Sequence, residues 1–234
     1  MLEPTINKII IQNTPQIKTT NKYLGEIFTS SKPKEYFPKD LTIFLKNKLD
    51  KTLGSEEITI EKNIGKAIGK MIWVEPEYQK KNFRFGEILR LSSIMMMLEN
   101  KIKIFEIFSK NTAVFFHHKY KFEPAIKTFD ERKKALEMII KNCKNKAEYE
   151  DVYNEALKLQ HRCLQETDAI SQRNLRDKTN DLLKLYMKRI SKKKDFKNHP
   201  FENGMWMTLT DEKIKENKNF FNELYEKHQI DYKI

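Results

Sequence analysis

Apolar and polar positions change rhythm several times along this chain, and each change marks an element. Ile9, Ile10 and Ile11 form a β-branched run inside Ile6 to Gln12, which predicts a first strand ending at Asn13 and Pro15. A short helix is expected over Lys22 to Phe28. Pro38 stands where a first helical residue would, and Leu41, Phe44, Leu45 and Leu49 recur at three-to-four spacing up to Gly54, so a helix is expected there too. Glu57 to Glu61 then alternates polar and apolar residues. With a turn at Asn63 to Gly65 and a second apolar run at Lys66 to Glu75, it predicts a hairpin.

After Gly86 the spacing of Ile88, Leu89, Leu91, Met95 and Met96 predicts a helix, followed by a strand at Ile102 to Ser109 and a short helix at Thr112 to Lys119. Between Pro124 and Pro200 there is neither Gly nor Pro, the signature of uninterrupted helices. Three apolar stripes run through that stretch. The first is Leu136, Ile139, Ile140 and Cys143; the second is Val152, Ala156, Leu159 and Cys163; the third is Leu175, Thr179, Leu182, Tyr186 and Ile190. A last strand is expected within Gly204 to Leu209 and a last helix over Asp211 to His228. The fold class is therefore mixed α/β (α+β): a central sheet flanked by helices, with an added helical block. The stripes need a surface to cover them, either the rest of the chain or a second copy in a homodimer.

Composition adds boundaries. At 234 residues with 39% hydrophobic positions the chain can bury a sizeable core, although 33% charged residues imply much solvated surface. The formal net charge of +12 suits nucleic acid, an acidic partner or the phosphates of a nucleotide; an AT-rich coding bias toward Lys, Asn and Ile gives the same excess. Cys143 and Cys163 lie in helical segments without C-x-x-C spacing, which argues for free thiols rather than a metal site or a disulfide. His161 has no second ligand at metal spacing, Met95 to Met97 reads as core packing, and Lys192 to Lys194 as a solvated helix end. The apolar stretch around Met95 is too short and interrupted for a bilayer, so no membrane partner and a cytoplasmic location are expected.

The densest chemistry lies in Ile72-Trp73-Val74-Glu75-Pro76-Glu77-Tyr78-Gln79, continuing into Lys80-Lys81-Asn82-Phe83-Arg84-Phe85-Gly86-Glu87. An apolar strand ends in V-x-P-x-Y-Q, and a turn then opens a helix. Backbone N–H groups at such a turn converge on one point, and the helix dipole favours an anion there. This stretch resembles the central strand and cofactor loop of the GNAT N-acetyltransferase superfamily. Counting directly from Gln79 places Asn82 and Arg84 at the family's glycine positions. A two-residue insertion instead places Arg84-Phe85-Gly86 on G-x-G, which also aligns Ile102, Phe105 and Ile107 on the next strand and is preferred. Ala113-Val114-Phe115-Phe116-His117-His118-Lys119-Tyr120-Lys121-Phe122 is similar to the family's A-x-x-F-Y-x-K-x-G-F helix, with Asn111 before it, His117 at the Tyr position and Lys121 at the glycine.

The resemblance implies residues 1–124 as an acyl-CoA-binding core, 125–199 as a helical insertion, and 200–234 as the strand and helix that complete the core. It implies acetyl-CoA as co-substrate and an amine acceptor, with Trp73, Val74, Gln79, Lys81, Asn82, Arg84, Phe85, Gly86, Glu87, Asn111 and Phe116 at the cofactor. In direct attack the amine needs a base, for which Glu75 and then Glu106 are the candidates; the oxyanion needs an N–H, offered by the strand at Val74; and the thiolate needs an acid, His117 or Tyr120. An imidazole titrates at about 6.5 when unperturbed, which suits that last task. The alternative implied by the missing glycines is a GNAT-like module without catalysis, whose basic helices contact nucleic acid or a protein.

Overall fold

The structure, a computed structural model, describes residues 16–34, 37–79 and 81–234. The expected strand at Ile6 to Gln12 lies outside the described residues. By their internal contacts the residues fall into two units, one running to Glu106 and resuming at Leu209, the other Ile107–Thr208.

The first unit is built on a meander: β1 (Lys18–Asn21), β2 (Gly25–Lys34), β3 (Phe37–Asn47), β4 (Thr52–Glu61) and β5 (Lys66–Val74), each antiparallel to the one before. The helix expected over Lys22 to Phe28 is instead the β1–β2 hairpin. Leu24 N–H donates to the Asn21 carbonyl, Tyr23 N–H to the Asn21 side chain, and Gly25 supplies the left-handed φ of 70° that closes the turn. The helix expected from Pro38 is strand β3. Its buried apolar positions are Leu41, Ile43 and Leu45, a period of two, and Leu49 of the expected stripe is exposed in the following turn. Tertiary pairing on both sides overrode a short apolar run that fits either period.

The hairpin expected from Glu57 onward is present. Glu61 pairs with Lys66 across a turn closed by Gly65 in the left-handed region. The register then shifts: Glu57 lies opposite Met71 but Ile58 opposite Gly69, which leaves Lys70 as an extra, bulged residue whose Nζ reaches Asp40 at 2.6 Å.

Helix α1 (Pro76–Gln79) and helix α2 (Phe85–Glu99) follow. Ile88, Leu89, Leu91, Ile94 and the three methionines Met95 to Met97 of α2 are buried, so the methionine run is core. Gly54 of β4 lets this helix approach the sheet. A Cβ there would stand 2.7 Å from the Trp73 carbonyl oxygen and 3.2 Å from Leu89 Cδ1. On the same face Glu56 meets Arg90 of α2 at 2.7 Å. Strand β6 (Ile104–Ser109) starts beside β5: the N–H groups of Lys103 and Ile104 donate to the Gly65 carbonyl, at 2.7 and 3.1 Å.

The helix expected over Asp211 to His228 is two helices, α7 (Asp211–Glu216) and α8 (Lys218–Lys227), broken at Asn217. Asn217 sits at φ −109°, off the helical well, and its side chain returns to the Lys213 carbonyl. Tyr225 of α8 donates its hydroxyl to the Leu91 carbonyl of α2 at 3.2 Å.

The second unit contains α3 (Thr112–Lys119), the short β7 (Glu123–Pro124), α4 (Phe129–Cys143), α5 (Glu150–Gln165) and α6 (Ala169–Lys193). Pairing of Glu123 with Thr208 and Pro124 with Met207 ties β7 to β8 (Met205–Thr210). Helix α4 opens on a capping box, Thr128 with Glu131, and α6 on Asp168, which accepts from Ser171 N–H. Within this unit the expected stripes are buried at Leu136, Ile139, Val152, Ala156, Leu175 and Tyr186, so they do not call for a second copy. Both cysteines are free and buried, and burial pushes the Cys143 thiol up to about 11. Among the described residues no helix is long and apolar enough to cross a membrane.

Candidate functional site

Strand β5 carries the candidate residues to one end of the first unit. Glu75 N–H donates to the Leu53 carbonyl on β4 at 3.0 Å, so by alternation the Val74 N–H points to the opposite edge of β5. The Val74 carbonyl accepts from Gln79 Nε2 at 2.7 Å, which folds the following segment back on the strand end. Glu75 is half-buried, and its carbonyl accepts from Tyr78 N–H.

Four rings hold the turn that follows. Phe83 and Phe85 stack at 5.3 Å, Tyr78 meets both edge-on at 5.4 and 5.5 Å, and Tyr23 from the β1–β2 turn meets Phe83 at 5.1 Å. Asn21 adds a hydrogen bond to the Phe83 carbonyl. The sequence by itself assigns no role to Tyr23, Asn21 or Phe83. The alternation of Phe83 and Phe85 around an exposed Arg84 was the signal available.

Between the rings the chain makes two left-handed steps, Asn82 at φ 54° and Arg84 at φ 61°. These are the two residues that direct counting puts at glycine positions, whereas Gly86 is inside α2 and needs no special φ. Each left-handed non-glycine residue costs on the order of 1 kcal/mol, so the surrounding packing imposes them. Arg84 is the N-cap of α2, and its carbonyl accepts from Glu87 and Ile88. The N–H groups of Phe85 and Gly86, in the first turn, have no carbonyl of the helix to bond. Lys81, Asn82 and Arg84 are exposed beside them.

Glu87 would bring a carboxylate to this first turn. It is buried instead against α8, where Lys227 Nζ and His228 Nε2 lie 2.6 and 2.8 Å from its Oε1. The positive end of the helix therefore keeps its sign.

Glu106 is placed elsewhere. It pairs with Lys66 at 2.7 Å, at the start of β5, whereas Glu75 follows the strand's last residue. Lys66 and Val74 are the two ends of β5, eight residue steps or roughly 26 Å apart at about 3.3 Å per residue. The structure does not bring the two carboxylates together. Trp73 lies on β5 with its side chain 37% exposed.

In the second unit Asn111 adopts φ 50°, and its N–H donates to the Phe201 carbonyl. Helix α3 then presents Phe116, half-buried, between the rings of His117 at 5.0 Å and Tyr120 at 4.9 Å. His117 is buried and Tyr120 fully so. Lys121, at the family's glycine position, has φ 66°. A cleft of about 550 Å³ borders the helix, lined by Phe115, Phe116, His118, Lys121 and Phe196. Burial holds the His118 imidazole below its ordinary value.

No family model and no curated protein matches the chain. Solved structures do. A GNAT-family acetyltransferase from Staphylococcus aureus Mu50 is similar over 38% of this chain and 56% of that one, at 17% identity and a TM-score of 0.34. The PaiA N-acetyltransferase from Thermoplasma acidophilum, solved in complex with coenzyme A, is similar over 38% and 55%, at 22% identity and a TM-score of 0.32. An IAA acetyltransferase from Bacillus cereus ATCC 14579 is similar over 43% and 79%, at 16% identity and a TM-score of 0.36. All three are acetyltransferases. The chain spans a little over half the length of the first two.

Proposed function

We propose that this chain is an N-acetyltransferase of the GNAT type, using acetyl-CoA and an amine acceptor. One observation carries the reading: left-handed Asn82 and Arg84 turn the chain from the end of β5 into the N-terminus of α2, as the glycines of a pyrophosphate-binding turn do. The donors fit that group. The N–H groups of Phe85 and Gly86, the exposed Lys81 and Arg84, and a Glu87 turned away to Lys227 and His228 give an anion site without a competing carboxylate.

Acetyl-CoA supplies an acetyl group activated as a thioester. The chain's residues do the remaining work. Glu75 takes the proton that the acceptor's ammonium must shed before its nitrogen attacks the acetyl carbon. The Val74 N–H, on the edge of β5 away from β4, donates to the carbonyl oxygen as charge develops there. As the carbon–sulfur bond breaks, the nitrogen gives up its second proton and the departing sulfur takes up one. The products are the amide and free CoA.

A second reading is a GNAT-like module that binds without turnover. The burial of His117 and Tyr120 favours it, because neither acid candidate is open to solvent. A thermal-shift titration with acetyl-CoA and with CoA, beside Arg84→Glu, tests the cofactor turn. Stabilisation lost in the variant supports it through mass action; no shift at millimolar ligand removes it. Release of free thiol in the presence of an amine then separates enzyme from binding module, with Glu75→Gln as the variant expected to lose rate.

A further inference from the structure

The two faces of β5 differ beyond the bulge at Lys70. Gly54 of β4 faces Leu89 of α2, and Glu56 faces Arg90, so their β5 partners Val74 and Ile72 turn toward the helix. Met71, Trp73 and, continuing the alternation, Glu75 turn the other way. That face is not closed over: Met71 is 57% exposed and Trp73 37%, high for two large apolar side chains. Their register partners on β4 are Glu57 for Met71 and Ser55 for Trp73.

A thioether, an indole and two carboxylates thus share one strip, with Trp73 between Met71 and Glu75 at steps of roughly 7 Å. We propose that this strip is the acceptor site and selects a small arylalkyl ammonium: an aromatic ring on a short arm ending in a primary amine. The proposal rests on the acetyl-transfer reading for the identity of the second substrate, although binding of the amine can be measured without it.

The physical argument is one of complementarity. An aromatic ring set against Trp73 and Met71 gains offset-stacking and sulfur–aromatic contact while covering exposed apolar surface. The ammonium at the end of the arm falls between the indole face, which attracts cations, and the carboxylate of Glu75. The whole chain carries +12, so a cation is repelled at long range and needs a local negative patch to be held. The strip supplies one, and it ends at Glu75, the residue proposed to accept the amine's proton. A polyamine lacks the ring that matches Met71 and Trp73; an amine carrying a carboxylate meets two like charges.

The chain has two tryptophans, so a Trp206→Phe protein leaves Trp73 as the single indole reporter. Phenethylamine, spermidine and glutamate are titrated against its emission without acetyl-CoA, alongside acetyl-CoA thermal shifts on the same protein. Saturable change with phenethylamine is expected, about five-fold weaker in Glu75→Gln and weaker again in Met71→Lys, which sets a like charge on the exposed strip. Spermidine or glutamate binding as tightly as phenethylamine overturns the proposal. So does an unchanged Trp73 signal; if acetyl-CoA still stabilises the protein, the cofactor turn stands and only the acceptor class falls. A phenethylamine response without any acetyl-CoA stabilisation supports the amine site and removes the transfer reading.

Discussion

The carboxylate of Glu56 and the guanidinium of Arg90 meet at 2.7 Å where their side chains are 0% and 2% exposed, joining β4 to α2 directly behind the strand that carries Trp73 and Glu75. Burial pushes the Glu56 carboxyl up, Arg90 and the Ser93 hydroxyl oppose it, and the Arg90 guanidinium also lies over the Phe105 ring at 5.0 Å. Removing one partner strands a charge in the core. Glu56→Leu or Arg90→Met alone is expected to cost about 3–5 kcal/mol, and the double replacement much less than the sum. Denaturant unfolding of the four proteins measures the cycle; additive losses would show that the pair is not coupled.

Gly54→Ala sets a methyl group 2.7 Å from the Trp73 carbonyl, a backbone atom that cannot turn aside. A loss of about 1–3 kcal/mol is expected. Because β4 and α2 both bound the candidate site, acetyl-CoA stabilisation should weaken in the same protein, whereas a neutral melting temperature would mean the strands separate at little cost.

Arg84 is in the left-handed region by constraint, not by preference. Arg84→Gly relieves it and should raise stability by up to about 1 kcal/mol while removing a cation from the proposed phosphate site. Melting temperature and acetyl-CoA affinity should therefore move in opposite directions. If both fall, the side chain packs in a way its exposure does not indicate.

In the helical unit His199 is fully buried. Its Nδ1 lies 2.6 Å from the Tyr186 hydroxyl, its Nε2 3.1 Å from Asp195 and 3.3 Å from Lys146 Nζ, and its ring 4.6 Å from Tyr149. Burial lowers its pKa from 6.5, Lys146 adds to that, and Asp195 opposes it. A base depressed by folding binds its proton later than the unfolded chain does. Stability should rise with pH between the folded value and 6.5, and fall as pH drops through that window. Urea unfolding at about pH 7 and about pH 5.5, followed by helix content, should show the loss, and His199→Gln should flatten it. An unchanged slope in the variant would assign the loss to other groups.

Legibility followed how far a local pattern depends on distant partners. The helices with long stripes, α4 to α6, of which α4 and α6 also carry side-chain caps, and the short α3 were readable because their period runs for several turns or their motif is contiguous. So was the β4–β5 hairpin, whose turn carries Gly65. Strand β3 was not: Leu41, Phe44 and Leu45 satisfy a helical spacing, and only pairing with β2 and β4 selects Leu41, Ile43 and Leu45 as the inner face. At the candidate site the run from Ile72 to Gln79 and the cations after it could be read directly. The aromatic clamp through Tyr23 could not, since its members are 60 residues apart in sequence. Neither could the pairing of Glu106 with Lys66, or the withdrawal of Glu87 to the last helix.

The bulge at Lys70 has a consequence for which way β5 presents its chemistry. Gly69 and Ile72 both face α2 although three positions separate them, an odd step that strict alternation forbids. Reading forward from Ile68 without it would put Trp73 and Glu75 under the helix and Ile72 and Val74 outside. One bulged lysine, held by Asp40, thus acts as a half-period phase shift between two segments of a single strand: the first half fixes the core, and the second is free to display the residues proposed for the reaction.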